Sequence, residues 1–317
     1  WLVEFLFHEI RRRRGFERVV VGLSGGVDSS LTAALCAEAL GPEAVSGFLL
    51  PYRTSSDASR EHALHLAEIL GIETRTIEIT AAVDGYLDSF EPAASEHRRG
   101  NVAARQRMIV LFDQAYKLGA LPIGTGNKSE RLLGYYTWHA DDSPPINPLG
   151  DLFKSQVWAL ARELGVPDEI INKPATADLI QGQTDEGDLG ISYTEADLIL
   201  HHLLSGRSNE GLVEVGFEPK KVELVQSSQQ FQLQIDGEPF YIKGAGLELG
   251  SIESLARYGG NAFRTWRVAN DEKTGREILD EAHRYGLMVC MGLDVARERH
   301  GFNYSDKKAV AQQLAVI

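Results

Sequence analysis

Residues 23–29, LSGGVDS, combine side chains and backbone freedom in a way that suits binding of a polyphosphate. Gly25 and Gly26 carry no side chains, so backbone N–H groups can approach phosphate oxygens there, and a helix N-terminus adds about half a positive charge. A Walker loop would end in Gly-Lys-Ser/Thr and a dinucleotide fingerprint would have spaced glycines. Neither pattern is present here. The alternative is a glycine turn whose Asp28 only caps the following helix.

The elements around this turn predict a parallel sheet. Strand patterns occur at 18–23, 44–50, 73–79 and 120–126, and helix patterns at 28–40, 57–70, 101–118, 153–164 and 194–204. Continuous apolar strands between amphipathic helices are typical of a parallel sheet covered on both faces. We therefore predict an α/β fold with a doubly wound parallel sheet. Ligands bind at the carboxyl ends of such strands, and residues 23–29 and 124–130 both fall there.

The pattern changes after residue 225. A Gln/Ser-rich joint leads into two strand-like runs around Asp236-Gly237, which is a strong hairpin signal. Helix and strand patterns then alternate over 251–259, 261–268, 275–286 and 287–295. We predict two domains, residues 1–225 and 226–317.

Composition and charge exclude several kinds of protein. The chain of 317 residues is 43% hydrophobic and 24% charged, with a net charge of −13. The acidic balance argues against a nucleic-acid partner, which needs a basic surface. No apolar run is long enough to span a bilayer, so we expect no membrane partner. Two distant cysteines in apolar contexts fit a reducing cytoplasm and exclude a disulfide framework.

Four further motifs occur along the chain after this loop. They are NVAARQRM (101–108), GTGNKSERLLGYYT (124–137), INPLGDLFKSQVWALARELGVP (146–167) and KPATADLIQGQTDEGDLGISY (173–193). Together with SGGxDS, the first half of the chain resembles the NAD synthetases, a family of ATP-pyrophosphatase-loop ligases with an adenine-nucleotide-hydrolase-like, Rossmann-like fold. The family joins ammonia to deamido-NAD at the expense of ATP. A deamido-NAD adenylate forms first with release of pyrophosphate, and ammonia then displaces AMP.

The resemblance implies roles for particular residues. It implies Lys154 and Asp28 as catalytic residues, and Asp28 and Glu130 as ligands of a magnesium ion whose hard character suits carboxylate oxygens. For ATP it implies Gly22, Leu23, Ser24, Gly25, Gly26, Val27, Asp28, Ser29, Thr125, Lys154 and Thr176. For deamido-NAD, held across a homodimer interface, it implies Asn101, Arg105, Arg107, Tyr135, Asp141 and Asp185.

The chain departs from the family pattern in two places. The family commonly has TKYGDGGVD where this chain has TWHADDSPP, so Trp138 replaces a substrate-contacting lysine and Pro145 an acidic residue. The family's closing basic segment is not recognisable after Val225. Residues 231–313 instead resemble the opening of a glycosidase-type (β/α) barrel, so we expect a partial barrel-like segment that is truncated or fused.

Three functions remain open from the sequence. The first is an ammonia-dependent NAD synthetase. The glutamine-dependent form carries an amidase domain with a cysteine nucleophile, whereas only a short helix precedes the loop here. A separate subunit that supplies ammonia is compatible with this function. The second is an RNA-modifying ATP pyrophosphatase, which the acidic charge and the lack of paired catalytic cysteines argue against. The third is a catalytically incomplete nucleotide-binding module fused to a glycosidase fragment.

Overall fold

In the computed structural model, the described residues are 1–176, 182–227, 234–235, 238–239, 242–247, 251–265 and 272–290. The chain divides into two compact units, Trp1–Phe231 and Gln232–Ile317. The predicted boundary after residue 225 falls inside the last helix of the first unit, where Val222 and Val225 are buried. Within the described part of the chain, no helix has the length and apolarity needed to cross a membrane.

The first unit alternates strands and helices as the sequence patterns indicate. Its strands are β1 (Val19–Gly22), β2 (Val45–Leu49), β3 (Glu73–Thr76) and β4 (Leu121–Ile123). Its helices are α1 (Leu2–Phe7, continued by a π-helical segment His8–Arg13), α2 (Val27–Leu40), α3 (Asp57–Leu70), α4 (Thr80–Phe90), α5 (Glu96–Leu118), α6 (Lys128–Leu132), α7 (Lys154–Glu163), α8 (Asp168–Ile171), α9 (Asp185–Leu189), α10 (Tyr193–Leu204), α11 (Asn209–Glu214) and α12 (Pro219–Ser227).

The four strands form one parallel sheet in the order β3-β2-β1-β4. Val19 pairs with Val45 on one side and with Leu121 on the other. Ile146 adds a parallel bridge to Ile123 beyond β4. The strand order therefore reverses between β1 and β4, which makes their carboxyl ends the crevice where doubly wound sheets bind ligands.

Both faces of this sheet are covered. Val19 and Val21 face a core shared with α1, α2 and α7, whereas Val20 and Phe48 face a core shared with α4 and α5. Alternate residues of a strand point to opposite faces, so an all-apolar strand needs helices on both sides. The predicted α/β class with a doubly covered parallel sheet is confirmed.

The second unit contains a smaller parallel sheet. Its described elements are β5 (Gln234–Ile235), β6 (Glu238–Pro239), β7 (Gly244–Leu247), α13 (Ile252–Arg257), β8 (Ala262–Thr265), α14 (Glu272–Arg284) and β9 (Met288–Cys290). β5 and β6 pair antiparallel, and β7, β8 and β9 form a parallel sheet in that order around a core that includes Phe263 and Leu287. The glycosidase-barrel resemblance stays a prediction, and residues 291–313 of it lie outside the described residues.

Candidate active site

The phosphate loop runs from the end of β1 to the start of α2, residues 23–29. Gly25 adopts φ +72°, and a Cβ there would come within 2.0 Å of the carbonyl oxygen of Ser59, so no other residue fits without displacing α3. Ser24 and Ser29 brace the turn, with their Oγ atoms 3.0 Å apart and Ser24 N donating to Ser29 Oγ at 3.2 Å. Gly26 is the N-cap of α2. The turn is thus a preformed concavity at a helix N-terminus, which suits an anion.

Lys154 lies at the centre of the charged groups beside this loop. Its Nζ is 2.5 Å from Asp28 Oδ2 and 3.5 Å from Glu130 Oε1. The lysine side chain is 2% exposed and the two carboxylates 18% and 19%. Asp28 stands in the first turn of α2, Glu130 in α6 after β4, and Lys154 at the start of α7. Three elements therefore bring together residues that are far apart in the sequence.

Burial and mutual repulsion shift the protonation of this cluster. Burial, with the neighbouring Asp28 charge, raises the pKa of Glu130 to about 8, against the attraction of Lys154. Burial lowers the pKa of Lys154, but Asp28 and Glu130 more than compensate and leave it raised. The lysine is therefore cationic at neutral pH, and Glu130 binds a proton more readily than an exposed glutamate.

Lys154 is held by groups that the sequence motifs did not reveal. Its backbone N–H donates to Ser129 Oγ at 2.9 Å, and Ser129 Oγ in turn donates to Asp197 of α10. The other oxygen of Asp197 accepts from Ser155 N at 2.8 Å, so this buried carboxylate satisfies the first turn of α7. The ring of Tyr193 lies under the lysine, 5.2 Å from Nζ to centroid.

These groups line a cavity of about 670 Å³, named here the first cavity. It is bounded by the phosphate loop, the amino-terminal half of α5, α6 and residues from the stretches 134–142, 173–176 and 183–188. The predicted site residues on its wall are Ser24, Gly26, Val27, Asp28, Ser29, Asn101, Arg107, Thr125, Glu130, Tyr135, Asp141, Lys154, Thr176 and Asp185.

A second cavity of about 520 Å³ adjoins the first, since both are lined by Ser24, Arg107 and Thr125. Its wall includes predicted residues Gly22 and Leu23 together with the apolar side chains of Leu50 and Leu111 and the ring of Tyr52. No local sequence pattern marks this cavity, because its wall is built from β1, β2, α3 and α5 together.

Two predicted residues line neither cavity. Gly25 acts through its backbone conformation, as described above. Arg105 is exposed, and its Nε donates to the carbonyl oxygen of Trp138 at 3.1 Å. This contact ties α5 to the segment in which the chain departs from the family pattern.

The other residues predicted for the second substrate are gathered around the first cavity. Arg107 Nε donates to Leu50 O at 3.1 Å, and Thr137 Oγ1 donates to Asn101 Oδ1 at 2.8 Å. Asp141 Oδ2 accepts from Thr137 N at 2.9 Å. They form one wall of the cavity, along α5 and the 137–141 segment.

Asp185 and Tyr135 also line the first cavity, from two other parts of the chain. Tyr193 Oη donates to Asp185 Oδ2 at 3.1 Å, while Asp185 Oδ1 is buried and accepts no hydrogen bond from the described residues. Burial raises the pKa of Asp185, chiefly against the attraction of Lys154. Tyr135 Oη donates to Asp188 Oδ2 at 2.9 Å.

The donor set fits a magnesium ion. Asp28 and Glu130 present carboxylate oxygens to one point, where Lys154 Nζ contacts both. Among the described residues no group of three or more His, Cys, Asp or Glu side chains forms a complete metal cage. Two carboxylates are what magnesium takes from a protein when substrate phosphates and water complete its octahedron.

Most of the chain matches a known protein family. Residues 1–233 match the family model of NAD synthase. The NH(3)-dependent NAD(+) synthetase of Trichlorobacter lovleyi is 47% identical over 230 residues, which are 72% of this chain and 84% of that protein.

Solved structures show the same likeness. An NMN synthetase from Francisella tularensis superposes with a TM-score of 0.64 at 32% identity, covering 74% of this chain and 95% of that one. An NH3-dependent NAD synthetase from Campylobacter jejuni gives 0.62 at 34% identity, covering 72% and 90%. The chain belongs to the NAD synthase family.

Proposed function

We propose that this chain catalyses the ATP-dependent amidation of deamido-NAD to NAD with ammonia, releasing AMP and pyrophosphate. The observation that carries this function is the junction of a preformed phosphate loop with the buried Lys154–Asp28–Glu130 cluster on the wall of one large cavity. Membership of the NAD synthase family supports the same reaction and favours it over the RNA-modifying alternative.

We assign different parts of the two substrates to the two cavities. The second cavity, with apolar and aromatic walls, suits the adenosine of ATP. Its triphosphate then passes Ser24 and Thr125, which line both cavities, and meets the phosphate loop. The remainder of the first cavity takes deamido-NAD, with Arg107 at the junction. The nicotinate carboxylate is thereby placed beside the α-phosphate, and proximity alone supplies a large part of the rate.

Each member of the charged cluster has a distinct part in adenylation. The Lys154 ammonium stabilises negative charge that develops on the phosphoryl oxygens, and its burial strengthens that attraction. Asp28 and Glu130 would hold magnesium, which when bound screens the phosphate charge and assists departure of pyrophosphate. Backbone N–H groups of the phosphate loop bind the leaving pyrophosphate. Ammonia then attacks the activated carbonyl carbon, and AMP leaves.

A homodimer is proposed from an apolar stripe on α5. Ile109, Phe112 and Tyr116 recur at helical spacing, and their side chains are 52%, 37% and 91% exposed. Such a stripe is typical of an association surface. Light scattering of the purified chain should give twice the mass of one chain, and Phe112→Glu should give the single mass.

For location we propose the cytoplasm, because both cysteines are unpaired thiols.

The reaction is tested by incubating the chain with ATP, magnesium, deamido-NAD and ammonium and measuring NAD and AMP together. We expect one AMP for each NAD. Because one structural neighbour is an NMN synthetase, nicotinate mononucleotide is the comparison substrate, and glutamine in place of ammonium is the comparison donor. A higher kcat/KM with nicotinate mononucleotide, or AMP formation without an amide product, would contradict the assignment.

A further inference from the structure

Lys173 contacts a residue that packs against the phosphate loop. Its Nζ donates a hydrogen bond of 2.6 Å to Ser59 Oγ, 114 residues earlier in the chain. Ser59 is 5% exposed and lies in the first turn of α3. The carbonyl oxygen of the same Ser59 is the atom that packs against Gly25. The Lys173 ammonium is therefore attached to the residue that backs the phosphate loop.

Two lysines of the first cavity thus approach one loop at different points. Lys154 contacts Asp28, at the end of the loop where α2 begins, and Lys173 contacts Ser59, behind Gly25 at the start of the loop. Both lysines line the first cavity together with Ser24 and Ser29. One ammonium group thus contacts the loop itself, and the other contacts a residue that packs against the loop.

The contacts that tie the two lysines to the loop differ in kind. Lys154 contacts two carboxylates, Asp28 and Glu130. The contact of Lys173 with Ser59 is with a neutral hydroxyl, and a phosphate oxygen in its place would make a charge-assisted and therefore stronger bond. A pyrophosphate leaving group carries several negative charges, more than one lysine balances.

We propose that Lys173 is a second phosphate-binding residue, whose ammonium moves from Ser59 Oγ to the β- and γ-phosphates of ATP and holds the pyrophosphate as it leaves. This inference rests on the proposed function, because it names a further residue of the same site. The lysine touches the leaving group and not the α-phosphate, which Lys154 and the magnesium-binding carboxylates serve.

A structural role for Lys173 is the competing explanation. The Lys173–Ser59 bond joins the segment after α8 to α3, and this segment carries Thr176 on the cavity wall. If the bond only fixes that segment, removing either partner has the same effect. If the ammonium binds phosphate, Ser59 is dispensable and Lys173 is not. Ser59→Ala is therefore the matched control, because Ser59 N still donates to the N-cap Ser56.

The experiment measures binding of inorganic pyrophosphate and of AMP, with magnesium, to the full chain and to Lys173→Met, Lys173→Arg and Ser59→Ala. Lys173→Met should weaken pyrophosphate binding about tenfold to a hundredfold, the range for a hydrogen bond to a charged group. It should raise KM for ATP in parallel and change AMP affinity less than about twofold, because AMP lacks the β- and γ-phosphates. Lys173→Arg should restore most of the loss, and Ser59→Ala should stay within about threefold of the wild type.

Two results would overturn the inference. One is equal loss in Lys173→Met and Ser59→Ala, which means a structural bond. The other is pyrophosphate affinity unchanged in Lys173→Met. Should Lys173→Met lose AMP binding as well, Lys173→Gln, which keeps a donor without the charge, replaces it in the same comparison. A wild-type chain that binds pyrophosphate and AMP yet makes no NAD would count against the proposed function and leave the role of Lys173 standing.

Discussion

The side-chain amide of Asn127 donates a hydrogen bond of 2.9 Å to Asp28 Oδ1, across 99 residues of chain. The same Asn127 caps α6: its Oδ1 accepts from Glu130 N at 2.9 Å, and its own N–H donates to Glu130 Oε2 at 3.1 Å. One buried asparagine therefore fixes both carboxylates of the cluster, one through its side chain and one through a capping box.

Asn127 should be a positioning residue with two roles, as a hydrogen-bond donor to Asp28 and as the cap of α6, and different substitutions should remove them differently. Asn127→Asp keeps a good cap but replaces the donor to Asp28 with a like charge, whereas Asn127→Ala loses cap and donor together. We expect kcat/KM for NAD synthesis to fall about tenfold or more in both. Only Asn127→Ala should also lose about 1 kcal/mol of unfolding free energy from the cap. Near-wild-type kcat/KM in Asn127→Asp would show that Asp28 needs no such support.

Asp28→Asn and Glu130→Gln should each abolish most NAD synthesis and leave the fold intact. Both keep the side-chain shape and remove a carboxylate oxygen that would hold magnesium. The loss of kcat is expected to be about a hundredfold or more, as when a group that stabilises transition-state charge is removed. Glu73→Gln, an exposed glutamate on β3 paired with Arg75, is the matched control and should behave as wild type. Near-wild-type turnover of both variants at saturating magnesium would contradict the assignment.

The sheet was predictable from the sequence because its determinants are local. β1, β2 and β4 are apolar at nearly every position, and residues buried on both faces leave a continuous apolar run. Helix α4 was not predicted. Its buried residues Val83 and Leu87 are four apart, but Asp84-Gly85 between them is typical of a turn. The edge strand β3 was predicted although most of its side chains are exposed.

The contacts that support the site were less predictable than the identity of its main residues. Motif order placed Lys154 and Asp28 in one site, but no local pattern marks Asn127 or Asp197 as their supports. Each acts on a partner 42 residues or more away in the chain. The raised pKa of Glu130 likewise comes from burial beside Asp28, which exists only after the sheet has formed.

Asp84 should be the strongest polar contributor to stability between α4 and α5. Its Oδ1 accepts from Tyr52 Oη and from Arg99 Nη1, both at 2.7 Å, and its side chain is 16% exposed. Asp84→Ala leaves these donors without their acceptor, so we expect a loss of about 2–3 kcal/mol in urea denaturation. Asp88→Ala removes the other partner of Arg99, a carboxylate that is 55% exposed, and should cost less than about 1 kcal/mol. Equal losses in the two variants would contradict this ranking.

Glu9 should make the stability of the amino-terminal helix depend on pH. Burial raises the pKa of Glu9, but hydrogen bonds from Arg14 and Arg13 outweigh it and leave the pKa below the ordinary value of 4.5. A lowered carboxyl pKa contributes stability that is present above 4.5 and is lost as the pH falls through the folded-state value. The unfolding free energy of the wild type should therefore exceed that of Glu9→Gln by up to about 1 kcal/mol at pH 6, and the gap should close on acidification. A gap that widens at low pH would mean that the sign is wrong.

Cutting the chain after Phe231 should leave NAD synthesis unchanged. The first unit, Trp1–Phe231, contains both cavities, and its last helix α12 closes the unit with Val222 and Val225, which are 2% and 0% exposed.

A cut after Glu218 removes this helix and is the matched control. It forfeits about 1.5 kcal/mol or more for each buried valine and uncovers their apolar neighbours, so the shorter piece should melt at a lower temperature and lose activity on warming. Thermal denaturation and steady-state kinetics of both pieces and of the full chain decide the outcome. If the piece ending at Phe231 is as impaired as the one ending at Glu218, residues 232–317 support the site and are not a separate unit.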